Sequence, residues 1–393
     1  MSLIETLPSG PLAIIGDVHG EFDELVALLE HREVGYRDVL ARRRAGQPLV
    51  RGARPERTLI FVGDLVDRGP DSPSVVDLVL DLMDAGLARC IIGNHELNLL
   101  RGDNDQRGRP GTGWFSGRPD SFQLVKGGRH HDFRCAEATT EQCARFRERL
   151  NVLPLAGERD DLRVVHACWQ EEGIEKLRKA DYDGIQGVTE AYEYFHQQMQ
   201  QDQDYLALLT LAKEEIAPYE AQLRNRSVPP PPMGEVGNWL LAGVREQNDN
   251  PVKVLTSGPE QIAQSEPIFK ERWRLHERER WWNHYSGTPV VLGHYWRSTT
   301  PQRRGLWDGM DPFCWIGETG RVFCVDYSVG RRYKDRVDPP PQSPATDLGL
   351  AAMLWPETTT ALEPDWSGPT LVFADGHSTP IKTPGFGGYD GAL

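Results

Sequence analysis

Five short apolar runs in this chain end on side chains that can bind a cation. Leu12–Gly16 leads to Asp17, Thr58–Gly63 to Asp64, Ala88–Gly93 to Asn94, Leu162–Ala167 holds His166, and Pro289–Gly293 leads to His294. Runs of this length, bounded by glycine and polar residues, read as buried strands. Arg321–Tyr327 reads as a sixth. The first three are followed by segments with apolar residues at helical spacing, such as Phe22, Leu25, Val26, Leu28 and Leu29. In "DSPSVVDLVLDLMDAG" Ser72 is a candidate cap, Pro73 suits the first turn and Gly86 a helix end. Alternating strand, loop and helix makes an α/β layered core. The loops after its strands are where open α/β sheets hold ligands.

The residue types fit one chemistry. In "IIGDVHGEFDEL" the pair Asp17 and His19 is compatible with either a polar turn or a metal pair, and partners elsewhere decide. Two divalent cations about 3.5–4 Å apart need a bridging acceptor, neutral imidazoles and hard oxygens, and such a pair clamps the attacking and leaving oxygens of phosphoryl transfer. Asp64 suits the bridge, and Asn94 adds an oxygen without adding charge. Water bound to such cations loses its proton near neutral pH, which supplies a hydroxide nucleophile. Arg68, in "GDLVDRGPD", has the planar fork that holds phosphate. His95, beside Asn94, suits a proton donor to the leaving oxygen when paired with Asp67.

"GDVHG", "GDLVDRGP", "GNHE", "VVHA" and "LGH", in this order, resemble the calcineurin-type metallophosphoesterases. "GDLVDRG" with "GNHE" is similar to their phosphoprotein-phosphatase-like branch. That branch includes serine/threonine phosphatases, diadenosine tetraphosphate hydrolases and polynucleotide kinase-phosphatase modules. The resemblance covers about Leu12 to Leu100, a short piece around His166, and Pro289 to Tyr327. It implies a sandwich of two mixed β-sheets flanked by helices. It also implies one metal on Asp17, His19 and Asp64, and another on Asp64, Asn94, His166 and His294. The ions would be Mn2+ first, with Fe, Zn, Ni or Mg as alternatives. Relatives bring a second arginine to the phosphate from ahead of the last histidine. Arg272, Arg274, Arg278 and Arg280 compete for that part, and Arg278 is the choice here. Many wider-family members carry Gly-His-x-His at the last motif, whereas this chain has "GHYW" with Trp296. That departure implies a more open first metal and favours monoesters over diesters. Asp326, in "FCVDYSVG", is either a support for the site or a plain strand-end aspartate.

Residues 1–169 and 289–393 are expected to form the core, and 170–288 an inserted, mainly helical cap. Within the insertion "VTEAYEYFHQQMQQDQDYLALLTLAKEEIAPYEAQL" reads as one or two helices, "RSVPPPPMG" as a spacer, "NPVKVLTSGPE" as a strand and "FKERWRLHERERWWNHY" as a basic, aromatic helix. Trp273, Trp281 and Trp282 suit a core for the cap better than a base-stacking wall. His130, His131 and Asp132 fall in a glycine-rich loop as surface residues, and the stretch from Val337 reads as a proline- and glycine-rich surface wrap.

A formal charge of −14 argues against extended nucleic-acid or anionic-membrane binding. Six cysteines without a C-x-x-C pair read as thiols of a reducing compartment, and the N-terminus lacks a signal pattern. A cytoplasmic phosphatase is therefore expected, acting on phosphomonoesters of proteins or nucleotides. A symmetrical dinucleoside polyphosphate hydrolase is the alternative. The rival from another class is a catalytically silent metal-binding scaffold.

Overall fold

The computed structural model describes residues 2–49, 57–102, 113–116, 123–126, 129–132, 135–270, 272–302, 305–334, 336–338, 346–356 and 368–382. Two mixed sheets face each other. One has six strands in the order Ser378–Pro380, Thr370–Phe373, Ala351–Trp355, Leu12–Ile15, Thr58–Phe61, Ala88–Cys90. The other has five, ordered Ile4–Thr6, Ala156–Arg159, Leu162–Val165, Val290–Leu292, Val322–Cys324. The fold expectation is thus borne out, and all six sequence-read strands are present.

Side-chain alternation along each strand divides two cores. Leu12 and Ile14 point between the sheets with Ile60, Val62, Val164, Val291 and Phe323. Ala13 and Ile15 point the other way, into a larger cluster with Leu25 and Leu28 of the helix Phe22–Glu30 and Val75, Val76 and Val79 of the helix Ser72–Asp84. Residues buried on both faces need the continuous apolar runs that made these strands legible. Leu12–Ile15 pairs parallel with Thr58–Phe61, and that with Ala88–Cys90, so their carboxyl ends lie along one edge of the sheet. In the second sheet Leu162–Val165, Val290–Leu292 and Val322–Cys324 are likewise parallel.

Several local expectations are corrected. The cap of Ser72–Asp84 is Asp71, whose Oδ1 accepts from Ser74 N at 3.0 Å; Ser72 Oγ instead accepts from Asp67 N at 3.0 Å and braces the preceding loop. "NPVKVLTSG" is a helix, Pro251–Ser257, because Asn250 accepts from Val252 N at 3.0 Å, Pro251 starts the turn and Gly258 at φ 74° stops it. "FKERWRLHERERWWNHY" is not helical. It forms the strands Ile268–Lys270, Arg272–Arg274 and His276–Arg278 and a short 3-10 turn, Trp281–Asn283. Trp273 and Leu275 alternate with charged neighbours there, which is a period of two. The stretch after Val337 does more than wrap the surface: Ala351–Trp355 is wholly buried and pairs antiparallel with Leu12–Ile15. Arg129–Asp132, with His130 and His131, is a strand of a hairpin rather than a loop, and its side chains lie outside the described set.

The 170–288 segment contributes in two ways. Glu171–Tyr182, Val188–Gln201 and Pro251–Ser257 join the main core through Ile174, Leu177, Tyr192, Phe195, Val252 and Leu255. Gln203–Ile216 and Gly237–Asn248 pack with each other and carry separate small cores, one of them built on Ile216, Leu223, Val236, Leu240 and Leu275. Trp281 and Trp282 are buried in the main core, with Trp282 stacked on Trp307, while Trp273 lies against the outer cluster. Among the described residues no helix is long and apolar enough to cross a membrane.

Candidate dinuclear metal centre

The loops leaving the strand ends are conformationally costly. Among the described residues, non-glycine residues with positive φ are His19, Asp64, Asp67, Arg68, His294, Trp296 and Ser328. All of them lie in these loops. Such conformations cost on the order of 1–3 kcal/mol each and persist only where the surroundings enforce them. Here buried carboxylates do so. Glu96 accepts from the backbone N–H of Asp64, Leu65 and Val66; Asp17 accepts from His294 N at 3.0 Å; and Asp326 accepts from Trp296 N at 2.8 Å and Ser328 N at 2.7 Å. Asp326 therefore braces two strained turns rather than merely ending a strand.

The backbone turns bring six side chains together. Asp64 Oδ1 lies 3.3 Å from His166 Nε2, and its Oδ2 lies 3.7 Å from His19 Nε2, so its two oxygens face two different imidazoles. On the His166 side, Asn94 Oδ1 is 3.2 Å from His166 Nε2 and 2.8 Å from His294 Nδ1. On the His19 side, Asp17 Oδ2 is 3.9 Å from His19 Nε2. The far ring nitrogens fix the tautomers. His19 Nδ1 is 3.0 Å from Val66 O and His166 Nδ1 is 2.8 Å from Val62 O, and a carbonyl only accepts. Both rings thus aim Nε2 inward, the nitrogen a metal would take; burial works against a charged His166, but Asp64 outweighs it and raises that imidazole above its ordinary value.

His95 has a different environment. Its Nδ1 donates to Asp67 Oδ2 at 2.6 Å, while Asp67 Oδ1 accepts from Trp114 Nε1 at 2.9 Å. His95 Nε2 also faces the site, 3.9 Å from Asp64 Oδ2, so position alone allows it to join His19 and Asp64 around a cation. The Asp67 partner, absent from His19 and His166, sets it apart. Arg68 reaches between the rings, with Nη1 2.9 Å from His19 Nε2 and Nη2 2.9 Å from His95 Nε2.

That guanidinium tests the fit for a metal. Arg68 puts a positive charge against the lone pair of His19, where the donor set calls for a cation. Charge gives the same answer. Burial, then Asp326 and Asp64, push the Asp17 carboxyl well above its ordinary range, the mark of clustered carboxylates short of positive charge. Burial also raises Asp64, but His166, His95 and His19 outweigh it and pull the group well below the usual carboxylate range. Burial, with Arg68 and His95 adding to it, holds His19 far below the usual imidazole value, and burial with His166 and Arg278 does the same to His294. Hard carboxylate and amide oxygens with imidazole nitrogens suit divalent first-row metals.

Residues 10–203 match the family model described as calcineurin-like phosphoesterase. These residues carry a calcineurin-like phosphoesterase domain. Among relatives of this chain, an asymmetrical bis(5′-nucleosyl)-tetraphosphatase of Bacillus velezensis is 39% identical over 88 residues, which is 22% of this chain and 31% of the relative. A symmetrical bis(5′-nucleosyl)-tetraphosphatase of Salmonella arizonae is 41% identical over 88 residues, 22% of this chain and 24% of the relative. The chain thus spans 24% to 31% of the length of these curated relatives. A crystal structure of a putative diadenosine tetraphosphatase aligns over 91% of this chain and 95% of its own, at 17% identity and a TM-score of 0.36.

All six residues read from the sequence as candidate ligands, Asp17, His19, Asp64, Asn94, His166 and His294, converge in this space, as do His95, Asp67 and Arg68. Arg278 acts on His294 through its charge, while its Nη1 pairs with Glu260 at 3.1 Å and donates to Gly258 O at 3.3 Å. Two contributors were not singled out by sequence reasoning. Glu96 stood inside "GNHE" without an assigned part. Trp114, in "GTGWFSG", had no assigned part either, although a tryptophan among glycines is a signal of anchorage; it is wholly buried.

Proposed function

We propose that this chain is a dinuclear-metal-dependent phosphoester hydrolase. The observation that carries the reading is the division of Asp64 between two imidazoles, Oδ1 toward His166 and Oδ2 toward His19, beside the His95–Asp67 pair. Asp17, His19 and Asp64 would hold one cation, and Asp64, Asn94, His166 and His294 the other, with manganese the first choice. Two divalent cations supply charge that polarises phosphoryl oxygens and lowers the proton affinity of water.

The protein side chains supply the rest. Arg68 binds phosphate oxygens through its fork and leaves the ring nitrogens to do so. His95 carries a proton on Nε2 and delivers it to the leaving oxygen, and the Asp67 carboxylate stabilises the doubly protonated ring. Trp114 holds Asp67 in the orientation that this needs. Residues 170–288 are read as a cap that shapes the approach, because His276–Arg278 brings Arg278 within electrostatic reach of His294 and Trp281 Nε1 donates to Ala167 O, beside His166.

Phosphomonoesters of nucleotides or proteins are the first substrate class. Hydrolysis of dinucleoside polyphosphates is the second reading, favoured by the tetraphosphatase relatives. Protein stripped by a chelator should lose turnover of an aryl phosphate and regain it with manganese. No turnover with several divalent metals across a range of pH would favour the metal-binding scaffold instead. A panel of phosphopeptides, mononucleotides, dinucleoside polyphosphates and phosphate-ended oligonucleotides then ranks substrates.

A further inference from the structure

The position at which wider-family members place a second histidine holds Trp296, and its indole gathers two cations. Arg68 Cζ lies 4.1 Å from the ring centroid, and Arg331 Cζ lies 5.6 Å from the same ring. Both separations are within cation–π range. Trp296 itself is pinned: it takes φ 54°, and its N–H donates to the buried Asp326 carboxylate. The platform is therefore a fixed part of the site.

Arg331 is brought there by its neighbour. Gly330 packs directly on the His19 ring, where any Cβ would collide with the imidazole, so the chain at Arg331 runs against a candidate metal ligand. The other arginines of this segment are neutralised: Arg332 pairs with Glu24 and Arg336 with Glu21. Among the described residues Arg331 pairs with no carboxylate, and its Nε is buried without a hydrogen-bond partner. A buried donor left unmet costs stability, and a second guanidinium on the indole that already carries Arg68 adds like-charge repulsion. Both penalties disappear when an anion lies beside them.

We infer that Arg331, held on Trp296 with Arg68, binds a second phosphate of the substrate, which moves the second reading, compounds with a phosphoanhydride chain such as nucleoside oligophosphates, ahead of simple monoesters. The inference rests on the phosphoesterase reading for the location of the reacting phosphate, which Arg68 and the candidate metal ligands surround. Arg331 and Arg68 share one indole and Gly330 abuts the His19 ring, so Arg331 stands within reach of a second phosphate attached to the one that Arg68 holds. Its fork suits the paired oxygens of a phosphate group.

Methylenediphosphonate, which has two phosphonate groups and no hydrolysable link, and inorganic phosphate serve as probes. Each is titrated calorimetrically into the manganese-loaded full chain, with manganese in constant excess so that the same complexed species is added to every variant. Wild-type protein should bind the diphosphonate at least tenfold more tightly than phosphate. In Arg331→Gln the ratio of the two affinities should fall at least tenfold, and Arg331→Lys should recover part of it. Equal weakening of both probes, or an unchanged ratio, would overturn the inference; near-wild-type circular dichroism and melting of the variants show that the comparison is of folded proteins. The catalytic reading is judged separately, by turnover of an aryl phosphate and of a nucleoside oligophosphate. An Arg331-dependent ratio in a chain that hydrolyses neither would support the subsite and refute the catalytic reading alone.

Discussion

Glu96 holds Asp64 by the backbone. Its carboxylate accepts from Asp64 N at 2.9 Å, Leu65 N at 2.8 Å, Val66 N at 3.2 Å and, at the start of its own helix, Gly93 N at 3.0 Å. The residue is wholly buried, and Asp64, which it supports, sits at φ 50°. One acidic side chain thus pays for a turn that the backbone would otherwise refuse.

Glu96→Gln keeps the size of the side chain but turns an amide group toward backbone N–H donors. Leaving such donors unmet costs roughly 1–3 kcal/mol. The melting temperature should fall, and manganese affinity should drop on the order of 10–100-fold, as for other groups that orient ligands. Differential scanning calorimetry and equilibrium dialysis measure the two effects. A destabilised variant with wild-type metal affinity would separate Glu96 from the site.

His95 and Asp64 should fail in different ways. His95→Asn should retain its metals and slow esters with poor leaving groups on the order of 10²–10⁴-fold, while esters with good leaving groups, which need little protonation, suffer less. Asp64→Asn weakens the shared ligand and should lower metal content, slowing all esters alike. Rates on aryl phosphates of graded basicity, with metal analysis of each variant, make the comparison. A metal-depleted His95→Asn would make His95 a ligand, as its position near His19 and Asp64 allows.

Trp114→Phe removes only the N–H that fixes Asp67 Oδ1. Hydrogen bonds to charged groups contribute roughly 1.5–3 kcal/mol, so kcat should fall about tenfold or more with KM little changed. The loss should grow with leaving-group basicity, in parallel with His95→Asn. A fall confined to KM would place Trp114 in substrate binding instead.

Glu5 provides a pH-dependent test of stability away from the metals. Burial pushes its carboxyl up to about 7, against the pull of Arg89. A raised carboxyl favours the folded state while it is protonated. The penalty for ionisation is absent at pH below the unfolded value near 4.5, grows between 4.5 and 7, and is complete above 7. Glu5→Gln should therefore stabilise the protein by roughly 1–3 kcal/mol at pH 8 and by much less at pH 4.5. Thermal melts at the two pH values would show it; an equal shift at both would refute the linkage.

The parts of the fold and site that were legible in the sequence are those with a local signature. Leu12–Ile15 and Thr58–Phe61 are buried on both faces, so burial demanded unbroken apolar runs, and the ligand-type residues follow each run directly. Ala351–Trp355 satisfies the same rule, but its five residues lie amid proline and glycine, and the composition of the surroundings obscured them. Pro251–Ser257 was misread because valine and threonine favour strands, although Asn250, Pro251 and Gly258 carried the helix boundaries. The role of Glu96 had no local signature: its main partners are backbone N–H groups about thirty positions upstream. Arg331 was out of reach for a similar reason, since only the fold brings it to the indole of Trp296.

A pair of metals would share Asp64. The most direct test is an anomalous difference map from crystals grown with manganese. Two peaks about 3.5–4 Å apart are expected, one against Asp64 Oδ2 with His19 and Asp17, the other against Asp64 Oδ1 with His166, Asn94 and His294. A single peak, or peaks that leave Asp64 outside both coordination shells, would contradict it.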